Sequence, residues 1–315
     1  MSRSTLVDVV DRTTRCPVTI WGFGVGGMLT GLIRAGQWLG RDDLIDYVAG
    51  LMVPTLDAAP APTDHLISVD ALQALAAIRS GLDIDVACER WLTAVTRAHR
   101  HHPDEPPVHR QDLERWSSTI WVDCMHTDGP GLVAMGMHDA AVALLEESAA
   151  KLQRPDGLFQ HGYDVSAGTG NGVAWGRGQA WALLGLTETL EAGDDEVLRR
   201  RLARLVEALA RHEDGGQWHT VVDDPHSPIE HSVAAYVALA IPRGIASGSL
   251  RPDHEAIADR ARAATMAELC GGELRVSAAT PIGDAAHYRS SAAGVFPWGQ
   301  APVLHFLLDQ IGATR

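Results

Sequence analysis

Apolar residues recur three and four positions apart through most of this chain, while alternating apolar and polar stretches are short and few. A chain patterned this way buries helix faces, and the sequence therefore predicts an all-α fold. The periodicity places helices at about 3–11, 24–39, 42–53, 67–80, 83–97, 131–152, 178–191, 194–212, 231–241, 252–269 and 299–311. Several stop at Gly-rich turns such as Gly193, Gly215-Gly216 and Gly271-Gly272, where a residue without Cβ can reverse the chain. About a dozen helices paired as hairpins suit an α/α toroid of six pairs, and helix count alone suits a superhelical stack of pairs equally well. No linker-like run divides the chain, so we expect one domain over residues 1–315.

The formal charge of -14 excludes a nucleic-acid partner, because phosphate binding needs a basic face and none is visible. Any acidic ligand would have to be held by an arginine placed inside a cleft, against the field of the whole protein. Residues Met1 to Arg15 mix Arg and Asp among apolar residues without a continuous apolar core, so neither a leader nor a membrane anchor is expected there, and the expected compartment is the cytoplasm. Cys16, Cys88, Cys124 and Cys270 lie far apart, without zinc-type spacing or a disulfide framework, and read as free thiols. The run from Arg97 to Gln111 holds His99, His101, His102 and His109 among prolines. Those histidines lack the spacing of a ligand set and read as a solvated loop, and no metal is expected.

One segment mixes residue types that suit binding better than packing: Gly170-Asn171-Gly172-Val173-Ala174-Trp175-Gly176-Arg177-Gly178-Gln179-Ala180-Trp181, at the start of a helix. Trp faces stack on sugar rings, Arg presents a planar fork to a carboxylate, and Gly lets backbone or ligand come close. Asp123 is a lone carboxylate between Ile120-Trp121-Val122 and Cys124-Met125. Burial beside an aromatic ring favours the neutral form of a carboxyl group, which suits a proton donor, while the residue's place before a helix equally suits a cap. His161, in Gln160-His161-Gly162-Tyr163-Asp164, sits in a polar loop where a functional histidine is less often part of a core. Trp21 opens Trp21-Gly22-Phe23-Gly24-Val25-Gly26-Gly27, whose glycine spacing and lack of a preceding strand exclude a dinucleotide loop.

Trp175-Gly176-Arg177-Gly178-Gln179-Ala180-Trp181 resembles the signature of the unsaturated uronyl hydrolases, glycoside hydrolase families 88 and 105. Trp21-Gly22-Phe23-Gly24, Trp121-Val122-Asp123-Cys124-Met125, His161-Gly162-Tyr163-Asp164 and Trp298-Gly299-Gln300-Ala301-Pro302 follow that family's order, so the resemblance spans nearly the whole chain. It implies an (α/α)6 toroid whose loops form a funnel for the sugar. It also implies a hydrolase that needs neither metal nor cofactor and acts on the C4=C5 double bond of a terminal unsaturated galacturonyl or glucuronyl residue. The family's chemistry protonates C4, adds water at C5 and lets the hemiketal collapse, so the two-carboxylate rules for ordinary glycosidases do not transfer directly.

Carried onto this sequence, the resemblance makes Asp123 the acid and base, Asp64 the second carboxylate and His161 a residue beside the reactive ring. Asp64-His65-Leu66-Ile67-Ser68 departs from the usual family wording, so Asp70 competes with Asp64, and Asp64 equally suits a helix cap. Substrate-binding expectations fall on Trp21, Trp175, Arg177, Gln179, Trp181, His126, Arg289 and Trp298. His126 and Asp128 stand where the family more often has apolar or small residues, and Arg289 reads as either a uronate contact or a surface residue. The expected partner is a small acidic oligosaccharide, bound by a monomer or homodimer, with no membrane. Rival readings are a sugar epimerase or inverting glycosidase on the same ring, and a non-catalytic helical protein that uses the Trp and Arg cluster as an interaction patch.

Overall fold

Each stretch of helical periodicity becomes a helix in the computed structural model, which describes residues 3–18, 24–57, 68–96, 100, 102, 105–108 and 110–312. In chain order the helices are α1 (Arg3–Thr13), α2 (Val25–Leu39), α3 (Asp42–Met52), α4 (Val69–Ile78), α5 (Asp85–Thr96), α6 (Cys124–Thr127), α7 (Gly129–Ala134), α8 (His138–Leu152), α9 (Gly176–Ala192), α10 (Glu196–Arg211), α11 (His231–Ala246), α12 (Glu255–Glu268), α13 (Ala285–Arg289) and α14 (Pro297–Gln310). Short strands are set between them: β1 (Thr119–Trp121), β2 (Gly162–Asp164) and β3 (Thr169–Gly170) form one antiparallel sheet, and β4 (Arg275–Ser277) pairs with β5 (Ala293–Val295).

The helix contacts close a ring. Helix α2 packs on α4, α4 on α7, α6 and α7 on α9, α9 on α11, α11 on α14, and α14 back on α2. Outside it, α1 lies against α14 and α2, α3 against α2 and α4, α8 against α7 and α9, α10 against α8 and α9, and α12 against α11. Outer and inner helices alternate along the chain, which makes the fold an (α/α)6 toroid and rules out an open stack of pairs. Sequence separates the two layers: α9 is buried along almost its whole length, whereas α10 buries Leu198, Leu202, Leu205, Val206 and Leu209 on one face and turns its arginines outward. An amphipathic stripe covers a core from outside, and only an inner helix is enclosed all round.

Three departures from the periodicity have local causes. The single helix expected at 131–152 is two, because Gly136, at a φ of 73°, turns the chain between α7 and α8. Helix α11, expected at 231–241, continues through Pro242 to Ala246. The strands carry two or three residues each, too few to show a period of two.

Helix α6 is seated directly on α9. A Cβ at Gly185 would lie 2.2 Å from the Met125 carbonyl oxygen, so only glycine lets the two backbones approach this closely. Gly185→Ala is therefore expected to push α6 outward and cost about 1–3 kcal/mol, the range for overpacked cores. Denaturant unfolding measures that cost, and an unchanged midpoint would show that the helices have slack.

Candidate active site

Strand pairing brings Asp123 and His161 together from 38 positions apart. In the β1–β2 register Trp121 lies opposite Gly162, and just beyond it the Val122 N–H donates to the His161 carbonyl at 3.0 Å. Gly162 leaves room there for Ile282, whose Cδ1 would lie 2.2 Å from a Cβ and would have to move aside. Asp123 precedes α6 but makes no capping hydrogen bond with its side chain, so the structure removes the cap reading. Its carboxylate, 5% exposed, lies with Oδ2 3.1 Å from His161 Nε2. The other imidazole nitrogen, Nδ1, is 2.6 Å from the Tyr288 hydroxyl. Burial pulls the proton affinity of His161 below that of a free histidine, Arg177 and His287 add to this, and Asp123 opposes it.

Asp123 opens onto a cavity of about 130 Å³ lined by Arg110, Trp116, Trp121, Trp175, Arg177, Trp181, Ala279, Thr280, Pro281 and Trp298. Its walls are an aromatic chain. Trp116 meets Trp121 edge-on at 5.3 Å, Trp121 meets His161 edge-on at 5.5 Å, and His161 stacks on Trp175 at 4.2 Å. The buried indole N–H groups of Trp121, Trp175 and Trp181 have no hydrogen-bond partner among the described residues.

Several residues singled out in the sequence serve other purposes. Arg177 lines the cavity, yet its guanidinium is 2% exposed and donates to the Ser277 carbonyl (3.0 Å), Ser277 Oγ (2.8 Å) and the Ala278 carbonyl (2.7 Å), with Glu230 at 3.4 Å. It also lies over Trp175 at 4.6 Å and Trp298 at 5.4 Å. It thus ties the Gly-rich turn to Ser277 at the end of β4 and to Ala278, which commits Nη1 and one N–H of Nη2 to the protein's own groups. Glu230 accepts the Ser277 N–H at 3.1 Å and caps α11 through the Ser232 N–H at 3.2 Å. Gln179, unlike Arg177, is not part of the cavity lining: it is fully buried and holds the Phe159 N–H and carbonyl, each at 2.7 Å, and the Trp175 carbonyl.

His126 lies beneath the site, stacked on Trp181 at 5.1 Å, with Nε2 3.6 Å from Glu188. Burial and then Arg243 pull its pKa to about 3, so it is a neutral packing group. Arg289 is half-exposed and bound to Asp224 at 2.6 Å, away from the cavity wall. Asp70, at the start of α4, is 3.4 Å from Thr30 Oγ1. Its side chain keeps solvent-accessible surface, yet the surrounding protein displaces enough water to push its carboxyl up. Asp64 and Trp21 lie outside the described residues, as do His99, His101 and His109. Trp298 lines the cavity, and like Trp116 it is only half-buried, so these two offer the open aromatic surface.

Sequence reasoning missed Arg110, Trp116, Tyr288 as a partner of His161, and the wall at 279–281. Arg110 ends the His- and Pro-rich run read as a solvated loop, and nothing local marks it. Its Nε and Nη2 hold Asp112 at 3.0 and 3.1 Å, and Nη1 makes no hydrogen bond among the described residues. No group of three His, Cys, Asp or Glu side chains among the described residues could hold a metal ion, and no described helix is long and apolar enough to cross a membrane. All four cysteines are free.

Known proteins match both the sequence and the ring. The chain is 32% identical over 172 residues to unsaturated rhamnogalacturonyl hydrolase YesR of Bacillus subtilis (strain 168), an alignment covering 50% of this chain and 47% of that relative, so it spans about half that relative's length. A possible member of the GH105 family from Klebsiella pneumoniae superposes with a TM-score of 0.87 at 19% identity over 99% of this chain and 94% of that one. Unsaturated glucuronyl hydrolase from Bacillus sp. GL1 superposes with a TM-score of 0.76 at 17% identity over 100% and 98% of the two chains. Those structures share the toroid, and the sequence carries the lineage: residues 3–313 match Glycosyl Hydrolase Family 88, and the chain belongs to that family.

Proposed function

We propose that the protein is an unsaturated uronyl hydrolase that acts on short lyase-generated oligosaccharides ending in an unsaturated galacturonyl or glucuronyl residue. The observation that supports this reading best is the buried Asp123–His161 pair at the base of a cavity walled by tryptophans. In this reading the Asp123 carboxyl gives its proton to C4 of the C4=C5 bond, and positive charge develops at C5 and the ring oxygen. Water adds at C5 and its proton passes to the Asp123 carboxylate. The hemiketal then opens and the neighbouring sugar leaves with a free hydroxyl, so the net change is addition of one water. Asp64 is kept as the second carboxylate of this proposal. The relative named as a rhamnogalacturonyl hydrolase makes rhamnogalacturonan disaccharides the first substrates to test.

Incubation with unsaturated disaccharides from rhamnogalacturonan, glycosaminoglycan and ulvan, followed by loss of double-bond absorbance, is the direct test. The expected product is a 4-deoxy-5-keto uronate plus the released sugar. No decay with any member of the panel would sink the assignment, and an altered sugar with an intact glycosidic bond would point to an epimerase.

Arg110 is the proposed reader of the substrate carboxylate, because among the described residues it lines the cavity with Nε and Nη2 on Asp112 and no hydrogen bond from Nη1, whereas the buried Arg177 gives Nη1 to Ser277 and an N–H of Nη2 to Ala278. Arg110→Gln is expected to raise KM about tenfold to hundredfold on a uronate and to change it little on the methyl ester, as loss of a charge-assisted hydrogen bond of about 1.5–3 kcal/mol requires. Equal effects on the acid and its ester would remove Arg110 from that role.

A further inference from the structure

Tyr288 is 1% exposed on α13, and its hydroxyl oxygen lies 2.6 Å from His161 Nδ1, 3.2 Å from the Gly283 nitrogen and 3.2 Å from Asn171 Nδ2. The orientation of the Asn171 amide follows from its other contacts. Its Oδ1 accepts from the Gly162 N–H at 3.3 Å and the Val173 N–H at 3.4 Å, and its Nδ2 donates to the Gly283 carbonyl at 3.1 Å. Two N–H groups, from Gly283 and Asn171, therefore point at the phenol oxygen and can only donate. Among the described residues the phenol proton then has one acceptor at hydrogen-bond distance, Nδ1 of His161. Burial raises the Tyr288 pKa far above neutrality, so that proton is present throughout the working range.

We propose that Tyr288 is a positioning residue of the active site: by donating to Nδ1 it locks His161 as the neutral Nε2–H tautomer and leaves Asp123 able to carry the proton of the reaction. The proposal rests on the reading of Asp123 as the acid. A cationic imidazole would need a proton on Nδ1, which would set three N–H donors against one hydroxyl and leave the hydroxyl proton without an acceptor. An imidazolium 3.1 Å from Asp123 would also hold that residue as a carboxylate with no proton to give, whereas a neutral N–H orients it at a smaller electrostatic cost. The other charged or titratable groups facing this cluster are Arg177 on α9 with its partner Glu230 before α11, His287 on α13, and Asp284 at the cap of α13. Arg177 and His287 disfavour a cation on His161, and Asp123 favours one.

The test uses the whole protein with ¹⁵N-labelled histidine, the His161 signals being assigned by their loss in His161→Gln. In the native protein His161 should show a protonated Nε2, a bare Nδ1 and no titration between about pH 5 and 8. Tyr288→Phe removes the donor and should let His161 take up a proton in that range. With an unsaturated disaccharide, the high-pH limb of kcat should then move to lower pH by about one unit, an approximately tenfold loss at pH 7.5 with KM within twofold. Asn171→Asp replaces an N–H donor by an acceptor that draws the phenol proton away from Nδ1, so it should shift both readouts the same way and serves if Tyr288→Phe does not fold. A native His161 that carries its proton on Nδ1 or titrates would overturn the proposal. So would variants whose tautomer and pH profile match the native protein. Absence of turnover on every unsaturated uronide would overturn the hydrolase reading alone, because the tautomer measurement is independent of substrate.

Discussion

Asp123→Asn should leave the fold intact and lower turnover by roughly two to four orders of magnitude, the range for loss of a positioned acid–base group. The amide fills the same space between Trp121 and His161, and its carbonyl oxygen can still accept the Nε2–H bond seen at 3.1 Å. It has no proton that can be passed to carbon and no carboxylate to recover one from water. Substrate affinity should change little, because the cavity walls are untouched, so the loss should appear in kcat with KM nearly constant. Circular dichroism and thermal melting monitor the fold beside the kinetics. If the variant keeps near-native turnover, the acid lies elsewhere, and Asp64 becomes the first residue to substitute.

Arg177→Met should be the most damaging change for stability, costing about 3–5 kcal/mol, because it strands a buried partner. Glu230 has a side chain with no exposure and faces Arg177 at 3.4 Å. Removing one member of a buried pair leaves the other charge uncompensated, and the carbonyls of Ser277 and Ala278 lose their donors as well. At about 2.1 cal/mol/K per residue, a loss of that size lowers the melting temperature by roughly 5–8 °C. Because the guanidinium holds the wall of the site, activity on a uronate and on its methyl ester should fall together. A large loss on the acid with the ester spared and the melting point unchanged would show that Arg177 reads the carboxylate after all.

Arg177 also shows where reading the sequence reaches its limit. Its place between Trp175 and Trp181 identified the neighbourhood correctly, since all three line one cavity. Its role depended on what surrounds the guanidinium, and those partners, Glu230, Ser277 and Ala278, lie 53 to 101 positions away. Gln179 shares the motif and turns inward to hold the chain at Phe159, while His126 is covered by Trp181. A motif reports that certain residues occur together, and the direction in which each side chain points is set by the helix it sits on and by its distant neighbours.

Helix positions and the presence of Asp123, His161 and the Trp cluster were legible in the chain, because periodicity and residue type are local properties. Closure of the ring, the engagement of Arg177 by Ser277 and Ala278, the arrival of Arg110 at the cavity wall, and the hydrogen-bond path from Asn171 through Tyr288 and His161 to Asp123 were decided only by the tertiary structure. Each depends on contacts between segments tens to hundreds of residues apart, and no local pattern encodes which donor is left over once the long-range hydrogen bonds are made.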